Sequence, residues 1–131
     1  MGRGHGPSDQ GNPIRHRIVR HGSGVPNPYA ATKNQLKTTS QNLYTGKVIY
    51  QENCASCHGV TGKGDGEAGK DLRCKPANLA FVMDKWIATD GFLMWSIAEG
   101  GEELKTDMPA FKGVLTETER WQVITFLRKG L

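Results

Sequence analysis

Cys54-Ala55-Ser56-Cys57-His58 constrains this chain more than any other stretch. Two thiols three positions apart, followed at once by an imidazole, make the C-x-x-C-H pattern. At that pattern a haem is bound through two thioether bonds, with the histidine beneath the iron. Such a chain folds as a shell around a flat apolar insert rather than around its own side chains alone. Three other readings compete. The pair could be free or disulfide-bonded cysteines beside a surface histidine. A thioredoxin-like redox motif needs a preceding strand and a βαβ pattern, whereas the residues before Cys54 read as a helix. A structural zinc site could use Cys54, Cys57, His58 and Cys74, but such sites come as two separated ligand pairs, and Cys74 stands alone.

A second axial ligand would separate these readings, and the chain has four methionines: Met1, Met83, Met94 and Met108. Met1 lies in a polar terminal stretch. Met83 and Met94 sit among apolar neighbours, where filling a core is the ordinary role. Met108 lies in the non-periodic segment Lys105 to Phe111 and precedes Pro109. Proline disfavours helix at the position before it, and an extended, rigid backbone suits presentation of a thioether to an iron.

Taken in order, these features resemble a class I c-type cytochrome, the small monohaem, His/Met-ligated fold. The resemblance covers roughly Leu43 to Leu131. Gly46 to Tyr50 is similar to the family's N-terminal helix, and C-x-x-C-H follows directly. Gly59 and Gly62 to Gly66 resemble the loop after the haem histidine. Lys75-Pro76-Ala77-Asn78-Leu79 resembles the segment whose proline carbonyl accepts a hydrogen bond from that histidine. Met108-Pro109 matches the distal methionine, and Trp121 to Leu127 resembles the closing helix. The resemblance implies one covalent haem c held by Cys54 and Cys57, iron ligated by His58 and Met108, and Pro76 as a second contact of His58.

The residues read for themselves agree with an all-α architecture. Leu43 to Glu52 has helical spacing, with Asn42 or Thr45 as caps. Gly46 weakens that helix by roughly 1 kcal/mol against alanine, which a close helix–helix approach would explain. Thr116-Glu117-Thr118-Glu119 is a capping box, followed by apolar residues at helical spacing and by Arg128 and Lys129 in the last turn. A further helix is expected from Thr89 or Asp90 to Ala98, ending at Gly100-Gly101, and a short piece between Phe81 and Ala88. No stretch alternates as a strand does. So many glycines in residues 41–131 leave a marginal core, and a buried porphyrin supplies the missing apolar mass. The chain without haem is expected to fold poorly.

Histidine and methionine together saturate an iron and raise its reduction potential, which suits outer-sphere electron transfer. No substrate-binding constellation is visible, and Asp65 and Glu67 read as a solvated loop. The expected role is a one-electron carrier or a cytochrome subunit of a respiratory or dehydrogenase complex. The alternative is a haem enzyme or gas sensor with a labile distal ligand. Trp86 and Trp95 could bond a haem propionate through their indole N–H, and Arg73 could pair with one.

Charge divides the chain. Residues 1–40 hold six basic residues (Arg3, Arg15, Arg17, Arg20, Lys33, Lys37) against Asp9, with six glycines and four prolines. Residues 41–131 hold eleven basic and twelve acidic residues. The boundary expected at 40/41 separates an irregular basic arm from the cytochrome domain. The arm reads either as a solvated tether or as a docking arm for a redox partner or an anionic surface. Its histidines, His5, His16 and His21, are minor candidates as stray ligands. Its basic segment lacks the aromatics of a nucleic-acid surface. No window reaches the length of a transmembrane helix, and residues 1–25 lack the apolar region of a signal peptide. Haem attachment of this type takes place outside the bacterial cytoplasm, so the expected location is the periplasm or outer membrane face, with a leader removed.

Overall fold

A computed structural model describes residues 19, 24–72, 75–101, 104 and 106–131. Among the described residues, five helices seen from end to end follow in order: α1 (Ser40–Asn53), α2 (Ala55–His58), α3 (Leu79–Val82), α4 (Asp90–Glu99) and α5 (Glu117–Gly130). A 3-10 turn spans Glu67–Gly69. Among the described residues there is no strand, so the fold is all-α as expected.

The frame is α1 packed across α5. α1 begins earlier than its apolar pattern suggests, because the Thr39 hydroxyl accepts from the Asn42 N–H at 3.1 Å and supplies the cap. The expected caps serve otherwise. Asn42 Oδ1 accepts from Gln122 Nε2 on α5 at 3.1 Å, and Thr45 Oγ1 accepts from Gln41. Gly46 marks the crossing, since a Cβ there would be driven into the Gln122 carbonyl and within 2.9 Å of the Phe126 Cβ. The glycine therefore costs α1 some intrinsic stability and allows the two backbones to touch. One turn on, Tyr50 is fully buried and its ring packs at 5.6 Å from that of Phe126.

α5 starts at the expected capping box. Thr116 Oγ1 accepts from the Glu119 N–H at 3.1 Å, and Glu119 Oε1 accepts from the Thr116 N–H at 2.8 Å. α4 is capped by Thr89, whose Oγ1 accepts from the Phe92 N–H. Gly91 through Trp95, Ile97 and Ala98 are all buried in it, the signature of a helix enclosed on every side. The short helix expected near Phe81 to Ala88 occupies Leu79–Val82 instead. Asn78 Oδ1 caps it through the Phe81 N–H, and the chain beyond Val82 continues in turns.

Residues 24–39 form no helix or strand, yet they lie as a strap on α4 and α5. The Asn34 N–H bonds Asp90 Oδ2 at 2.9 Å, and its side-chain amide donates to Thr125 Oγ1 at 3.0 Å. The Tyr29 carbonyl sits so close to Gly91 that no Cβ would fit between them. Asp90 also accepts from Arg128 at 2.8 Å. Burial alone would raise its carboxyl, but the Asn34 and Arg128 bonds win and hold it below the ordinary value. The second half of the expected arm is thus engaged by its own chain. The cluster Ile14 to His21, apart from Val19, lies outside the described residues, as do His5, Arg73 and Cys74.

Candidate functional site

A single helical turn organises the Cys-His cluster. The His58 N–H bonds the Cys54 carbonyl at 2.9 Å, and the Gly59 N–H bonds the Ala55 carbonyl at 2.8 Å. Positions 54, 57 and 58 are then i, i+3 and i+4 on one helical face, and all three side chains line one cavity. Both cysteines are unpaired, half-buried thiols. Burial and the neighbouring Cys57 push the Cys54 thiol up to about 12. A thioredoxin-like thiol is shifted the opposite way, toward the reactive thiolate. Among the described residues no three of His, Cys, Asp or Glu converge as metal ligands.

The glycine-rich loop after His58 folds back on this turn. The Gly64 N–H donates to the His58 carbonyl at 2.7 Å and the Gly66 N–H to the Cys57 carbonyl at 3.0 Å, satisfying the open end of α2. Tyr50 of α1 adds its hydroxyl to the Gly59 carbonyl at 2.7 Å. Across the loop, His58 Nδ1 lies 2.9 Å from the Ala77 carbonyl. This corrects the expectation for Pro76, whose carbonyl is turned toward Gly64, where a Cβ would lie 2.7 Å from it. Pro76 still lines the cavity. The imidazole is held below its ordinary value by burial, against the Ala77 bond, which favours the protonated ring. A neutral ring that donates from Nδ1 keeps the Nε2 lone pair for a metal.

Met108 lines the same cavity. Its segment is pinned to the end of α4 by four backbone bonds. The Gly101 N–H donates to the Met108 carbonyl (3.0 Å) and the Thr106 N–H to the Gly101 carbonyl (2.9 Å). The Phe111 and Lys112 N–H groups donate to the Ile97 and Ala98 carbonyls at 3.0 and 3.1 Å. Gly100 makes the turn at φ 63°, and a Cβ there would lie within 2.6 Å of the Met108 carbonyl oxygen. The other described methionines are elsewhere. Met94 is buried, with its sulfur accepting from Arg120 Nε at 3.3 Å, and Met83 packs against the core. Neither lines the cavity, and neither do Trp86 and Trp95.

The remaining wall is largely apolar, with Leu72, Leu79, Val82, Phe92, Leu93, Ile97, Val123 and Leu127. Asn53, Ser56, Lys75, Ser96, Thr106 and Asp107 add polar groups to it. Thr106 Oγ1 is buried without a hydrogen-bond partner among the described residues, a costly state unless a bound group completes it. Two thiols on one turn, an imidazole, a thioether, apolar walls and an orphaned hydroxyl together suit a planar apolar macrocycle bearing polar substituents and a metal. Sequence reasoning missed Ala77 and Thr106. A backbone carbonyl leaves no mark in a sequence, whereas the position of Thr106, two residues before Met108, was a readable hint.

The sequence matches the family described as cytochrome c oxidase, cbb3-type, subunit III, over residues 41–127. No curated protein matches it. Among solved structures it is similar to a chain of the Kuenenia stuttgartiensis reducing HAO-like protein complex, with a TM-score of 0.58 and 22% identity. That likeness covers 85% of this chain and 52% of the other, so this chain spans about half the length of its neighbour. The 91 residues from 41 to 131 fall short of the covered share, so the superposed region reaches into the segment ahead of α1.

Proposed function

This chain belongs to the cytochrome family described as cytochrome c oxidase, cbb3-type, subunit III, and on that premise we propose that it is a one-electron carrier or a cytochrome subunit of an extracytoplasmic redox complex. The family's cofactor is a covalently attached haem c, which supplies a one-electron iron couple. Cys54 and Cys57 would carry the two thioether bonds. His58 and Met108 would hold the iron. Ala77 would fix the tautomer and plane of the His58 ring through Nδ1, leaving Nε2 for the iron. Pro76 contributes wall rather than a hydrogen bond. The largely apolar lining would limit water at the iron and, with a methionine ligand, would favour the reduced state.

The observation that carries this reading is the convergence of both thiols, the imidazole and the Met108 thioether on one apolar cavity. With His58 and Met108 both holding the iron, no coordination site would be left for a gas or a peroxide. Carbon monoxide added to the reduced protein should leave the visible spectrum unchanged, and the iron should titrate as one reversible one-electron couple. Rapid formation of a carbon monoxide adduct would replace this reading with that of a haem enzyme or sensor.

A redox protein is the proposed partner, and the periplasm or outer membrane face the proposed location. No described helix is long and apolar enough to cross a membrane. Of the proposed arm, residues 29 and 34 are bonded to α4 and α5. Docking through residues 1–40 would use their basic residues Arg3, Arg15, Arg17, Arg20, Lys33 and Lys37. We place the functional domain at residues 41–131, with the strap as its brace.

A further inference from the structure

We propose that Tyr29 and Glu99 form a latch on the Met108 loop, so that the strap ahead of α1 sets how readily the axial methionine leaves the iron. The proposal rests on Met108 being that ligand. Glu99 is the last residue of α4, immediately before the Gly100-Gly101 turn from which the loop departs. Its carboxylate joins partners on different parts of the chain. Oε2 accepts from the Tyr29 hydroxyl, and Oε1 accepts from Lys112 Nζ at 2.8 Å. Lys112 closes the loop at its far end, where its own N–H bonds the Ala98 carbonyl. One carboxylate therefore ties the strap, the end of α4 and the exit of the loop together.

Among the described residues, backbone bonds and the Glu99–Lys112 pair hold the loop. Its bonds to α4 are backbone bonds clustered at Ile97, Ala98, Gly101 and Met108, and the turn at Gly100 is a natural pivot. Swinging Met108 away from the cavity moves Lys112 relative to Glu99 unless the carboxylate follows, and Tyr29 opposes that movement. The Tyr29 phenol is pushed up to about 12 by burial and by Glu99, so it remains a donor across the physiological range.

The strap has two separable ends, which makes the latch testable. Asn34 fastens the other end to Asp90 and Thr125, away from the loop. The experiment uses the oxidised holoprotein of the parent, Tyr29→Phe and Asn34→Ala. It follows imidazole binding to the iron under conditions where loss of the methionine limits the rate. It also records the methionine–iron charge-transfer absorption and the denaturant midpoint of each protein. Tyr29→Phe should bind imidazole about tenfold faster, the equivalent of one hydrogen bond to a charged group, while keeping the charge-transfer absorption at rest. Asn34→Ala should lower the midpoint and leave the imidazole rate near that of the parent. An unchanged rate in Tyr29→Phe overturns the latch, as does equal acceleration in both variants, which would mean general loosening. If the parent itself lacks the charge-transfer absorption, the assignment of Met108 fails and the latch falls with it. If the parent shows it, an unchanged Tyr29→Phe rate refutes the latch alone.

Discussion

The α1–α5 frame and the loop wall around the cavity are built on opposite principles. The frame is closed by side chains: Tyr50 against Phe126, a capping box at Thr116, a backbone crossing at Gly46. Among the described residues, the wall between Gly59 and Asn78 and between Gly100 and Phe111 is largely irregular, with backbone bonds holding its turns. Its interior is lined by side chains without being filled by them. One region spends its residues on its own packing; the other spends them on shaping a surface for something else. The frame gives position, and the wall gives chemistry.

That contrast is broken most severely by removing what the wall encloses. Cys54→Ala with Cys57→Ala removes both thiols proposed to carry the haem, and circular dichroism should then show loss of much of the helical signal. A double variant with the parent's full spectrum would mean that the frame folds without its insert. Next in size is Gly46→Val. The branched side chain has no room against the Gln122 carbonyl, so denaturant unfolding should show a loss of about 3 kcal/mol or more. A change below about 0.5 kcal/mol, the range of an ordinary surface substitution, would show that the helices can separate freely. Smallest is Thr116→Ala, which removes one cap from α5 and should cost about 1 kcal/mol with the haem spectrum unaltered. A changed spectrum there would mean that frame and wall are less separable than their construction suggests.

The two regions also differed in how much could be read from sequence. α5 was legible because its start is a local reciprocal bond between Thr116 and Glu119, and Gly46 announced its crossing by being a poor helix residue in a helical pattern. α1 started earlier than its apolar spacing showed, because its first turn is polar and its cap is Thr39. In the wall, C-x-x-C-H and Met108 stood out because their chemistry is tied to residue type. The Ala77 carbonyl did not, since any residue offers one and only the path of the loop selects which faces His58. The strap was the least legible part. Its contacts join Tyr29 to Glu99 and Asn34 to Asp90 across 70 and 56 positions, and no local pattern reports a partner so distant.

The central claim is that the wall brings His58 and Met108 to one iron. The measurement that tests it most directly is the visible spectrum of the oxidised protein and of its Met108→Ala variant. The account predicts a methionine–iron charge-transfer absorption in the parent that disappears in the variant, together with new binding of carbon monoxide in the variant's reduced form. A parent without that absorption, or a Met108→Ala variant that retains it, would contradict the account.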